Sequence, residues 1–277
     1  MNLVPLMLHM EGCATQEEMN ANVTASIERG YVRFNEHLDA YKGCVSIVGS
    51  APSLGSTIKD LKGDVLAVNG AIGYLLDHGV VPRFGMIWDA SPLCVKFVRA
   101  HQDITYFVGA RCHPEVFKAI GNCKTIVWHA GGDHNINEFL SERNIMEPLV
   151  NGGSAGVTRA MYLVFALGYR EIHLHGADSS CNEAGGTHVT GSLVHENLLR
   201  VWLGATDEVR KEFLTTPEMC AQVEEFKLIY LHYTNLGVKV RAHGEGLLPT
   251  TYRRLKADFD RQRGLIDEAK CAELLAA

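Results

Sequence analysis

An α/β fold on a Rossmann-like, mostly parallel sheet, with helices on both faces and helical additions at each end, is the architecture this sequence predicts. Three observations carry it. Short apolar runs of strand length alternate with stretches of helical periodicity. Several of those runs end on a small or polar residue. Two glycine- and serine-rich turns lead from an apolar run directly into a helix.

Residues 16–42 place Ile27, Tyr31, Phe34 and Leu38 at helical spacing and read as a helix. Cys44-Val45-Ser46-Ile47-Val48-Gly49 reads as a buried strand, followed by the turn Ser50-Ala51-Pro52-Ser53-Leu54-Gly55 and a short helix over 56–62. Strand Val65–Val68 ends on Asn69-Gly70, helix 71–78 follows, and strand Phe84–Trp88 ends on Asp89. Strands at 104–108 and 125–128 flank a helix at 114–120. Residues 133–148 have weak periodicity and read as a covering segment. Asn151-Gly152-Gly153-Ser154-Ala155-Gly156 opens the apolar helix 157–167, and strand Glu171–Gly176 comes next. The polar loop 179–197 reads as a mobile lid, residues 207–236 as a long amphipathic helix, and Val238–Ala242 as a last strand. The expected domains are an N-terminal helical extension (1–42), a Rossmann-like domain (43–249) and a C-terminal helix (250–277). Strand–helix alternation implies a parallel sheet with right-handed crossovers.

The 277 residues are 47% hydrophobic and 21% charged, enough apolar material for a sizeable core. A net charge of -6 argues against an overall basic nucleic-acid footprint. Eight cysteines are scattered without a Cys-x-x-Cys pair, which excludes a zinc ribbon and points to reduced thiols in a cytoplasmic setting. The opening residues lack a basic n-region, and no run reaches the length of a membrane span.

The turn Gly49-Ser50-Ala51-Pro52-Ser53 leaves backbone N–H groups at a helix start, a suitable anion site, although a plain capped turn has the same composition. Asn69 and Asp89 end the next two strands, the edge where open α/β sheets bind ligands. Gly70, then Gly153-Ser154-Ala155-Gly156, permit close approach to a ligand. Asp178 ends a later strand and adds a carboxylate at the same edge. Asp89 could instead cap a turn. His173 and His175 share one strand face, where burial is the expected fate. His188 and His195 lie in the polar loop, and either could act as a general base. Trp88 and Trp128 could stack on a base or pack in the core. No protein-held metal site is expected.

Taken together, Ile47 to Leu54, Val68-Asn69-Gly70-Ala71, Gly79-Val80-Val81-Pro82, Asp89, Gly153 to Gly156 and Ala166 to Asp178 resemble the MptE-like family of pterin diphosphokinases, motility accessory factors and phage proteins. The same pattern resembles the Campylobacter-type sialyltransferases. The resemblance implies a nucleotide in the crevice, with Gly49 to Ser53 on its phosphate, Asn69 on the nucleotide, and Gly153 to Gly156 and Asp178 framing the donor. It implies a histidine base beyond the last of these strands, matched by His188. Two departures stand out: Ala51 replaces a glycine, and Pro82-Arg83 with a lone Asp89 replaces the aspartates that a diphosphokinase uses for Mg²⁺. Arg83 is expected to add positive charge near the donor.

The resulting expectation is a phage or bacterial cytoplasmic transferase that moves a sugar from a nucleotide-activated donor to an acceptor hydroxyl on a glycan, modified base or small alcohol. His188, Asp89 and Asp178 are its candidate catalytic residues. Mg²⁺ is permitted but not required, and homo-oligomers are allowed. The alternatives are a Mg²⁺- and ATP-dependent pyrophosphokinase, or a nucleotide-binding module without catalysis.

Overall fold

Strands that must be buried on both faces need apolar residues at successive positions, and those of this chain have them. The computed structural model describes residues 14–132, 136–190, 198–204 and 210–276. In chain order its elements are α1 (Gln16–Glu28), β1 (Val32–Arg33), β2 (Cys44–Val48), α2 (Leu54–Thr57), β3 (Asp64–Val68), α3 (Ala71–Asp77), β4 (Phe84–Ile87), β5 (Thr105–Gly109), α4 (Pro114–Ile120) and β6 (Thr125–Ala130). There follow α5 (Ile136–Ser141), β7 (Leu149–Val150), α6 (Gly156–Ala166), β8 (Glu171–His175), β9 (Leu199–Leu203), β10 (Lys211–Thr215), α7 (Pro217–Asn235), β11 (Lys239–Ala242), α8 (Leu247–Gln262) and α9 (Glu268–Ala276).

The main sheet runs β1-β6-β5-β4-β3-β2-β8-β11, with β7 beside β6, and all its pairings are parallel. Successive strands β2 to β6 step outward in one direction. The chain then returns to lay β8 on the other side of β2, so the strand order reverses between β2 and β8. A separate antiparallel hairpin joins β9 to β10.

Alternate side chains feed opposite faces of the sheet. Ile47, Leu66, Met86, Phe107 and Trp128 pack with α6, α7 and α8, whereas Val48, Ala67, Ile87, Val108 and Val127 pack with α3 and α4. Each fully buried aliphatic or aromatic side chain among them contributes about 1.5–3 kcal/mol. Among the described residues, no helix is long and apolar enough to cross a membrane.

The expected α/β class and the main strands are present. Four local expectations are corrected. The helix expected over 16–42 stops at Glu28, because Gly30 turns the chain at φ 66°, and Val32–Arg33 then joins the sheet edge. The helix expected over 56–62 is α2 followed by a 3₁₀ turn at Ile58–Asp60. The segment 207–236 is not one helix: Lys211–Thr215 is a strand, and α7 starts at Pro217 with Thr216 as its N-cap. Proline favours the first helical turn and resists the helix interior, which sets that boundary. Finally, Arg83 lies before β4, at the opposite edge from the strand ends, where it pairs with Asp64 at 2.8 Å and covers the rings of Tyr41 and Phe84.

Candidate active site

Ligands of open α/β sheets bind at the carboxyl ends of the strands where strand order reverses. Here that point lies between β2 and β8, and a cavity of about 230 Å³ opens there. Gly49 follows β2 and Gly176 follows β8. Their backbones approach so closely that a Cβ on either would overlap the other's carbonyl oxygen. The contact is sealed by Gly49 N–H donating to His175 O at 2.8 Å and Ala51 N–H donating to Gly176 O at 3.0 Å.

The cavity brings together Gly49, Ser50, Ala51, Asn69, Gly70, Ala155, Gly156, Asp178 and His188. These come from five separate stretches of the chain. Asn69 stands at φ 47°, and among the described residues its buried Oδ1 has no hydrogen-bond partner. Asn tolerates this left-handed conformation better than most residues. Gly156, Val157 and Thr158 begin α6 on the cavity wall, where the first N–H groups of a helix lack intrahelical acceptors and the dipole is positive. A side chain at Gly156 would sit 2.7 Å from Val68 Cγ1, so the helix start rests directly on the strand end.

The remaining expected residues lie around this cavity. Pro52 and Ser53 face a neighbouring cavity instead. The Ser53 N–H donates to Asp178 Oδ2 at 2.8 Å, and its hydroxyl donates to Asp178 Oδ1. The carboxylate of Asp178 thus already sits on the start of α2, so Ser53 is built into the wall rather than left open to an anion. Burial raises the Asp178 carboxyl above its ordinary value, the two Ser53 hydrogen bonds oppose this, and Glu245 adds to it. Ser154 gives its N–H and hydroxyl to Glu225 of α7 at 2.9 Å, and Thr158 Oγ1 donates to the same carboxylate at 2.8 Å. Gly153 packs behind, where any Cβ would meet the Arg159 backbone. Asp89 Oδ1 accepts from Ser91 N–H at 2.9 Å, the turn-capping arrangement, and Asp89 does not line the cavity among the described residues.

His188 lies within 2.8 Å of Thr187 Oγ1 through its Nδ1. The described part of the polar loop is folded: Val189 N–H donates to Ser50 O at 2.7 Å, and Cys181 N–H donates to Leu214 O at 2.7 Å. His195 lies outside the described residues. Trp128 is fully buried in the core, and Trp88 is flanked by the guanidinium groups of Arg111 at 4.8 Å and Arg159 at 4.9 Å. Neither tryptophan lines the cavity. Its aromatic is Phe97, from a 3₁₀ segment whose sequence has no period to betray it. His173 and His175 are buried as expected, and His243 joins them in a parallel stack, 4.3 Å from the His175 ring.

Over residues 21–184 the sequence matches the family described as 6-hydroxymethylpterin diphosphokinase MptE-like. The chain belongs to the MptE-like family. No curated protein matches this MptE-like chain. Among solved structures it is similar to the MAf glycosyltransferase from Magnetospirillum magneticum AMB-1, with a TM-score of 0.57 and 14% identity. That alignment covers 87% of this chain but 41% of the other, so this chain spans less than half that protein's length. At such identity the likeness is one of fold. A mammalian sialyltransferase in complex with Gal-beta-1-3GalNAc-ortho-nitrophenol aligns with a TM-score of 0.33 and 12% identity, over 83% of this chain and 87% of the other.

Diphosphokinase chemistry uses Mg²⁺ held by carboxylates to bridge ATP phosphates. Among the described residues, the donor set of this MptE-like crevice does not fit that ion. Asp178 has both oxygens engaged by Ser53, and Asp89 stands off the cavity. Among the described residues, the groups with metal-ligand spacing are His173–His175–His243 and Cys44–Glu171–His173, and neither lines the crevice.

Proposed function

We propose that this chain is a glycosyltransferase that carries a sugar from a nucleotide-activated donor to an acceptor hydroxyl, with the donor lying in the crevice between β2 and β8. The observation that carries this reading is Asn69. A buried carbonyl oxygen without a partner is costly unless a ligand completes it, and Asn69 Oδ1 is such an atom on the crevice wall. A ribose hydroxyl or a base N–H supplies the missing donor. The donor phosphates then lie over the start of α6, where the amides of Gly156 to Thr158 and the helix dipole offset their charge. As the glycosidic bond to phosphate breaks, the same groups stabilise the leaving oxygen, an electrostatic contribution that needs no reorganisation. His188, on the crevice wall, takes the proton of the attacking hydroxyl. Asp178 holds the Ser53 turn in place and acts through position. The described part of the loop, residues 179–190, shields the reacting centre from water. Family membership and the MAf-like fold support nucleotide-derived substrates in general, and the misfit of the described crevice residues to Mg²⁺ favours glycosyl over diphosphoryl transfer.

The test is a turnover assay with CMP-, UDP- and GDP-sugars without metal, alongside ATP with Mg²⁺ and a pterin alcohol. Nucleotide release from one sugar donor is expected, and His188→Ala should lower its kcat by about 10²-fold or more while leaving donor affinity nearly unchanged. Diphosphoryl transfer from ATP, or full activity in His188→Ala, would sink this mechanism. Tight nucleotide binding with no turnover of any donor would make the chain a binding module.

A further inference from the structure

Beside the crevice, on the far side of Asp178, a larger cavity of about 720 Å³ is walled by the β9–β10 hairpin. We infer that this second cavity is the acceptor site and that it takes an uncharged polyhydroxylated compound, a sugar or glycan end. The inference deepens the glycosyltransferase reading and rests on it.

Position is the first argument. Asp178 and Ser180 line both cavities, so a ligand in one meets a ligand in the other across a single ridge. A transferase needs that arrangement, because donor and acceptor must be held together at one reacting centre. A hydroxyl entering over the ridge from the hairpin side approaches the crevice that His188 lines. The cavity is also within the ~300–1,000 Å³ range of small-molecule sites.

Chemistry is the second argument. The hairpin side carries Arg200 and Lys211, but neither is a lone cation. Arg200 pairs with Glu212, and Lys211 pairs with Glu245 at 2.6 Å. Glu183 and Asp178 add further carboxyl groups to the lining. Among the described lining residues carboxylates therefore outnumber cations, and an anionic ligand would meet net repulsion. Sugar hydroxyls both donate and accept. Each exposed ion pair presents an acceptor next to a donor, which suits neighbouring hydroxyls on one ring.

The experiment uses saturation-transfer NMR on the full chain with methyl β-D-galactopyranoside and methyl α-D-glucopyranoside as probes, glucuronate as the anionic comparator, and CMP or UDP present. Ser56→Trp is the first variant: Ser56 is exposed, lines only the larger cavity, and its hydroxyl bonds Ser53 O. The expected result is a signal from an uncharged glycoside that falls roughly tenfold or more in Ser56→Trp, with nucleotide affinity unchanged. Arg200→Ala, which removes one exposed ion pair, should weaken the same signal and guards against misfolding of the tryptophan variant. Equal glycoside signals in wild type and both folded variants, a preference for glucuronate, or no glycoside signal at all would overturn the proposal. If the glycoside binds as expected but no nucleotide does, the sugar cavity stands and the donor reading fails.

Discussion

Alanine at position 49 is expected to leave little folded protein. The added Cβ would overlap the Gly176 carbonyl oxygen and lie 2.8 Å from Val157 Cγ2. Neither neighbour can retreat: Gly176 is fixed by β8 pairing to β2, and Val157 belongs to the first turn of α6. Overpacking of this kind costs about 3 kcal/mol or more when the obstacle is backbone. Gly176→Ala should do the same, since it combines overlap on Gly49 O with a φ of 57°. Gly55→Ala is the control. It stands exposed in α2, its Cβ would meet Tyr74 Oη at an ordinary 3.6 Å, and alanine is the better helix former. Urea denaturation of the three variants checks this. A Gly49→Ala protein as stable as Gly55→Ala would mean that β2 and β8 do not meet as described.

Acid is expected to destabilise the protein as pH falls below the ordinary histidine value, before the carboxylates titrate. Burial pulls His175 down to about 3, and the neighbouring His243 and His173 add to it. His173 and His243 are lowered too, chiefly by burial. The folded state therefore holds the stack neutral while the unfolded chain takes protons near the ordinary histidine value of about 6.5. A lowered folded value means that stability is full above that pH and is lost as pH falls toward the folded value. His175 alone accounts for about 1.4 kcal/mol per pH unit below the ordinary value, or about 2 kcal/mol by pH 5. Asp178 has the opposite sign. Its raised carboxyl lends stability below the ordinary aspartate value, and that contribution fades as pH rises through the folded value. Denaturation midpoints at pH 7.5, 6 and 5, for wild type and His175→Phe, measure the effect. The variant should lose much of the slope, whereas an identical slope in both would remove the histidine stack as its cause.

Much of the main sheet was legible because its strands are short apolar runs closed by turns that only small residues make. Asn69 and Ala155 could be named for the crevice because one follows such a strand and the other opens a helix, whereas His188 is reached through its polar loop and the family resemblance. Three things could not be read. The contact between Ser53 and Asp178 joins residues 125 apart in sequence, and no local pattern encodes it. Lys211–Thr215 keeps a polar–apolar spacing that a helix also shows, and only its pairing with Leu199–Leu203 makes it a strand. Phe97 and His243 come from segments without period, and the fold alone carries them to the crevice wall and to the histidine stack.

The central claim, a nucleotide in the crevice between β2 and β8, is tested most directly by calorimetric titration of CMP, UDP, GDP and ATP, with and without Mg²⁺, into wild type and Ala51→Phe. Ala51 lines that crevice and not the larger cavity, so a phenyl ring there fills the donor's place. The expected result is metal-independent binding of CMP or UDP by wild type, weakened roughly tenfold or more in a folded Ala51→Phe protein. Binding of no nucleotide, or equal affinity in the two proteins, would contradict it.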